Sequence, residues 1–252
     1  MRKEQVSQYY FFGTTMRYLQ DARTGWSIKG EAVVLENIIW FFEHLENMNL
    51  PVTFRASHRL VDFQTELEES EENTLTNEQA SKLAEIMREI RFTLDAEIPG
   101  IEAYITSPKR FDVELLSADI SELFSPGTFE QFPDIAKYDF IEAGKCIVFE
   151  RATAAAFHVL RGTEANLRHY YKSMVKQNRI NSGMWGPIVQ DLRRKNKTKK
   201  FVALNNHLDN IRISYRNPTQ HPEAIYDIHE SQDLLSVCID VNNKMFKVLS
   251  EA

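Results

Sequence analysis

Hydrophobic residues in the first hundred positions recur at three- and four-residue intervals. Val34, Leu35, Ile38, Ile39, Phe42 and Leu45 fall on one helical face, so the spacing predicts an amphipathic helix over 34–45. A second stripe runs through Ala80, Leu83, Ile86, Met87, Ile90 and Leu94. It follows Thr76 and Gln79, whose separation fits a capping box that starts a helix. Between the stripes lie Glu66, Glu68, Glu69, Glu71 and Glu72, a negative run whose plainest reading is an exposed helix end or loop. Pro99 and Gly100 break the pattern, and 102–106 fits a short extended piece ahead of Pro108. Pro126, Gly127 and Pro133 interrupt 107–133, which reads as an irregular linker.

Helical periodicity returns from Asp134 onward. It covers 139–149 and 153–174, with a break near 150–153, then 185–192, 201–215 and 228–249. Asp227 with Glu230 fits a second capping box at the start of the last stretch. The pattern therefore predicts an all-α fold, with an N-terminal mostly helical region over 1–133 and a C-terminal helical bundle over 134–252. Composition agrees with this. Nine Gly and eight Pro in 252 residues are too few turn formers for a sandwich or barrel, and 43% hydrophobic with 26% charged residues is ordinary for a folded chain.

Cys146 and Cys238 are far apart and neither belongs to a C-x-x-C pair, so neither a disulfide framework nor a zinc knuckle is expected. The longest apolar run, 33–42, is interrupted by Glu36 and Asn37. These features lead to the expectation of a cytoplasmic protein with no membrane span, no metal and no cofactor.

Charge changes the picture more than composition does. The formal net charge of −6 conceals a polarity along the chain. Residues 61–150 hold 7 Lys or Arg against 21 Asp or Glu, whereas 161–216 hold 13 against 3. The densest basic stretch is Arg193, Arg194, Lys195, Lys197, Lys199 and Lys200, a candidate RNA-binding cluster, since such clusters draw in polyanions by releasing condensed counterions. A solvated loop is the plain alternative.

The segment from Arg216 to His221, RNPTQH, is polar and doubly constrained. Pro218 disfavours a helical Asn217 and Pro222 a helical His221, so the sequence predicts a helix ending near Arg216, a stiff loop, and the last helix just beyond. Arginine suits a phosphodiester because its planar fork donates paired hydrogen bonds and stays charged. Histidine exchanges protons near neutrality. RNA carries its own 2′-hydroxyl nucleophile, so these two residue types suffice for its cleavage. Arg151 and His158 are also separated by six residues, but the periodicity places them on continuous helix with no loop to converge them.

The stretch 134–249 resembles the HEPN superfamily of helical ribonucleases. DFIEAGKC at 139–146 looks like its first helix, AAAFHVLRGTE at 154–164 like its second, and RNPTQH at 216–221 like its signature of Arg, a polar residue and a later His. Tyr226 and the closing helix with Ser231, Leu234, Leu235 and Met245 continue the likeness. The resemblance implies a metal-independent endoribonuclease with Arg216 and His221 as the catalytic pair. It further implies a homodimer whose two Arg–His loops meet at the interface, and a role as a toxin or antiphage-defence effector with a possible antitoxin or defence partner. Supporting positions are Asn217, Glu164, Arg212 and Tyr226. Glu164 would orient Arg216 or His221, or else pair locally with Arg161. Arg212 would contact a second phosphate or only decorate its helix, and Tyr215 and Tyr226 would stack on bases or be buried. The competing reading is a non-catalytic helical interaction module, a sensor or antitoxin-like subunit. No H-e-x-x-H, P-loop or G-x-S-x-G pattern supports other chemistries.

Overall fold

The computed structural model describes residues 5–175, 183–195, 199–221 and 224–251, and only the backbone of residues 199 and 200. Among these residues the secondary structure is helical, apart from one isolated antiparallel bridge between Ser27 and Thr74. The chain divides into two compact units, Met1–Tyr104 and Ile105–Ala252. No helix among the described residues is long and apolar enough to cross a membrane.

The first unit contains α1 (Val6–Asp21), α2 (Val34–Asn47), α3 (Pro51–Ala56), α4 (His58–Glu69) and α5 (Asn77–Glu97). The Thr76–Gln79 capping box is present at the start of α5. Pro51 occupies the first turn of α3, where its missing N–H costs nothing. The N–H groups of Val52 and Thr53 donate to the Glu97 carboxylate at 2.9 and 2.7 Å, so the end of α5 caps the start of α3. The two predicted stripes are largely the buried faces: Ile38 and Leu45 of α2 and Leu83, Ile86, Met87 and Ile90 of α5 share a core with Phe12, Phe41 and Phe63. Ile39 is the exception and is exposed. The piece at 102–106 forms no strand.

The second unit contains α6 (Val113–Ala118), α7 (Asp134–Val148), α8 (Ala152–Met174), α9 (Trp185–Lys195), α10 (Lys199–Ile211), a π-helical turn (Arg212–Arg216), α11 (Asn217–Thr219) and α12 (Ile228–Ser250). The segment 107–133, expected as a linker, belongs to this unit instead. Phe124 and Phe132 are buried against Phe140 of α7, with ring centroids 5.0 and 5.7 Å away, and Phe132 reaches Phe246 of α12 at 4.9 Å. The Arg110 N–H donates to Gln232 and the Ser125 N–H to Asn243, which fastens the segment to α12. Prolines kept it from being one helix, but its aromatic residues make it core. At Gly144 a β-carbon would collide with the Leu116 carbonyl oxygen, so only glycine lets α6 lie on α7 there. The expected break between α7 and α8 is present, with Glu150 at φ 57°. The Asp227–Glu230 capping box opens α12.

Candidate functional site

Arg216 is not at a helix end as the sequence predicts. The helix continues through a π turn at Arg212–Arg216, and Asn217 keeps helical angles, φ −66° and ψ −52°. Its N–H bonds to the Arg212 carbonyl, five residues back. Widening the turn shifts the acceptor register just before Pro218, which lacks an N–H and whose ring would crowd an ordinary α turn, so the proline is accommodated without breaking the path. Gln220 N–H then donates to Asn217 and His221 N–H to Pro218. The helical path thus runs on to Thr219, and Gln220 and His221 follow it as a turn and a bend. Where a stiff loop was expected directly after Arg216, three further helical residues intervene before the turn that carries His221. His221 and Asn217 are both exposed.

Arg216 is held from α8. Its Nε donates to Glu164 Oε2 at 2.8 Å, while the other oxygen, Oε1, accepts from Arg168 one turn along the same helix at 2.6 Å. Glu164 is 7% exposed, and a carboxylate that dry needs such partners. Of the two readings of Glu164, the contact to Arg216 is the one present; Arg161 pairs elsewhere. Its Nε and Nη2 donate to the fully buried Asp139 of α7 at 2.8 and 2.5 Å, and His158 Nδ1 lies 2.9 Å from the same carboxylate. Pairing with Asp139 pushes the Arg161 guanidinium above its usual value. Gly162 lets α7 and α8 cross closely here, because a β-carbon there would stand 3.1 Å from both Asp139 Cβ and the Phe140 ring and would push them back by a few tenths of an ångström.

Two cavities adjoin at Arg161, Glu164 and Arg216. The larger, about 610 Å³, is also lined by Pro133, Ile135, Arg168, His169 and Lys172. Four cations face one carboxylate there, a balance suited to an anion. The smaller, about 380 Å³, adds Phe157, His158, Leu160, Thr219 and Gln220.

The remaining predicted residues fall outside these walls. Arg212 lies against Gly186 of α9 and pairs with Asp209 at 2.8 Å, three residues back, so its guanidinium is taken up locally. Tyr226 is half-buried, its hydroxyl 2.7 Å from Thr219 Oγ1 and its N–H donating to Thr153 of α8. Burial holds its phenol above the usual value. Its hydroxyl is engaged in pinning the segment after Arg216. Tyr215 is partly buried and packs against the unit's core. In the basic cluster, Arg193 pairs with Asp209 at 2.8 Å, and Arg194 and Lys195 pair with the buried Asp191 at 2.9 and 2.8 Å. Lys197 and the side chains of Lys199 and Lys200 lie outside the described residues.

The Asp139–His158–Arg161 group was missed by sequence reasoning. A signal existed: Asp139 interrupts the buried stripe of Ala136, Phe140 and Ala143, and a carboxylate on a core face requires a partner. Among the described residues no group of three or more His, Cys, Asp or Glu side chains is arranged to hold a metal ion. Comparison with protein-family models, curated proteins and solved structures gives no match to this chain.

Proposed function

We propose that the second unit is a HEPN-type endoribonuclease that cleaves RNA phosphodiesters without a metal, acts as a homodimer, and serves as a toxin or antiphage-defence effector in the cytoplasm. The observation that carries the reading is the Arg216–Glu164 pair on the wall of a cationic cavity. Because Glu164 takes Nε, both terminal nitrogens of Arg216 are left to grip phosphate oxygens, and the guanidinium is oriented before substrate arrives.

In this mechanism Arg216 neutralises charge building on the phosphorane-like transition state, and His221 exchanges the proton of the attacking 2′-hydroxyl. A single Arg–His pair makes a thin site, and a second copy would bring its own Arg–His segment to it and double the phosphate-binding charge. Exposed Phe157, at 46%, lines the smaller cavity, and exposed Ile213 and Ile225 flank the segment in sequence, giving such an interface apolar surface.

The test is incubation of purified protein with total RNA, with and without EDTA. Cleavage should survive the chelator and leave 2′,3′-cyclic or 3′-phosphate ends, and DNA should resist. Arg216→Ala and His221→Ala should each lower the rate by at least about 100-fold, His221→Ala with RNA affinity nearly intact. Sedimentation should give a dimer. Products with 3′-hydroxyl ends, or activity that requires an added divalent metal, would overturn the reading.

A further inference from the structure

We propose that His158 is a second proton-transfer group of this site, an acid–base imidazole set by Asp139 beside the phosphodiester that Arg216 holds. The inference rests on the ribonuclease reading and adds to it a residue that the Arg216–His221 segment does not contain.

Asp139 stands at the centre of this group. Its side chain is fully buried on α7 and meets two donors from α8, three residues apart, so that Arg161 neutralises it from one side and His158 Nδ1 closes on it from the other. An ionised carboxylate only accepts, which makes Nδ1 the donor and leaves Nε2 as the nitrogen free to exchange a proton. The ring is held in place by this bond and by an edge contact to Tyr138, centroids 6.4 Å apart. It is a quarter exposed and lines the smaller cavity together with Arg161 and Arg216. His169 lines the larger cavity, but its ring stacks on Phe246 at 5.9 Å rather than meeting a buried carboxylate, and His207 meets Asp240 at the surface. A buried carboxylate that fixes one imidazole nitrogen while the ring lines a cavity with a guanidinium is the arrangement that proton transfer to or from a phosphoester oxygen needs.

The step balances without a further reactant. One imidazole, of His221 or His158, takes the 2′-hydroxyl proton as the 2′-oxygen forms its bond to phosphorus. The phosphorus to 5′-oxygen bond breaks, and the other, starting as imidazolium, gives its proton to the departing 5′-oxygen. The products are a 2′,3′-cyclic phosphate and a 5′-hydroxyl.

The experiment uses the full chain and a short RNA substrate. In His158→Asn the amide nitrogen replaces Nδ1 and keeps donating to Asp139, but no titratable nitrogen remains; in His158→Gln the Nε2 position is mimicked instead. Both should lower kcat by about 100-fold with KM within a few-fold of wild type, and the bell-shaped pH–rate profile should lose one limb. Retention of the wild-type kcat and both limbs by folded variants, with His221→Ala inactive, would overturn the role of His158 and leave the ribonuclease reading standing. A wild-type protein that cuts no RNA removes both together. As a readout that needs no variant, the His158 imidazole resonances of isotope-labelled protein should move when a dinucleotide lacking the 2′-hydroxyl is added, and unmoved resonances would also overturn the proposal.

Discussion

The two units bury different things. In the first, the described buried polar residues are neutral, and Asn37 and Ser57 satisfy their side chains on backbone carbonyls one turn back. Its ion pairs, such as Arg59 with Glu85 and Glu89 or Lys82 with Glu66, lie in the open. Among its described residues the second unit buries three carboxylates, Asp139, Glu164 and Asp191, each meeting two basic side chains. An exposed pair adds about 0–1 kcal/mol, whereas removing one member of a buried pair costs about 3–5 kcal/mol because a charge is left dry and alone. A buried pair is no better for stability than an apolar contact would be. Its return is position, and two of these three carboxylates stand behind the cavity that holds Arg216. The third fixes Arg194 and Lys195, so much of the local positive charge at the end of α9 is already spent within the chain.

The contrast can be broken most sharply at Asp139. Asp139→Ala should destabilise the second unit by about 3 kcal/mol in urea titration of the full chain, since it removes the charged acceptor of both Arg161 and His158, although the half-exposed Arg161 can turn to water. Glu164→Gln comes next. It keeps a hydrogen-bond acceptor but removes the charge between Arg168 and Arg216, and should cost about 1–3 kcal/mol while lowering RNA cleavage about tenfold or more through a misdirected Arg216. In the first unit, Glu97→Gln should cost about 1 kcal/mol at neutral pH, the size of a lost helix cap. Although partial burial opposes it, hydrogen bonds from the Thr53 hydroxyl and from the N–H groups of Val52 and Thr53 hold the Glu97 carboxyl below its usual value. A depressed carboxyl contributes stability above the unfolded-state range and loses it as pH falls through its folded value, so wild type and variant should converge in acid. Equal stability at neutral pH would show that Glu97 caps nothing of consequence.

Sequence patterning was enough for the helices whose chemistry is local. Both capping boxes form, because each uses residues three apart on one chain segment. The aromatic packing of 107–133 was illegible for the opposite reason: Phe124 and Phe132 sit in short turns with no period, and their partners are on α7 and α12. The helical path through Pro218 was misread because the rule against a helical residue before proline assumes an α turn, not a π turn. One of the site's four ion pairs follows the same logic. Arg168 and Glu164, four apart, are a pair that spacing alone suggests, whereas Asp139 meets His158 and Arg161 only through the crossing of α7 and α8 that Gly162 permits.

The π turn at Arg212–Arg216 acts as a phase shift of one residue in an otherwise continuous screw. Straighten it into ordinary α turns at the same length, and everything downstream would be carried about 100° round, taking Arg216 off the Glu164 carboxylate while every side chain kept its identity. The aim of the guanidinium is therefore encoded in chain length as much as in composition. Alanine scanning leaves length untouched and so is blind to this variable, whereas a one-residue deletion at Ile213 or Ser214 lets an α turn replace the π turn and should keep Arg216 close to its present direction.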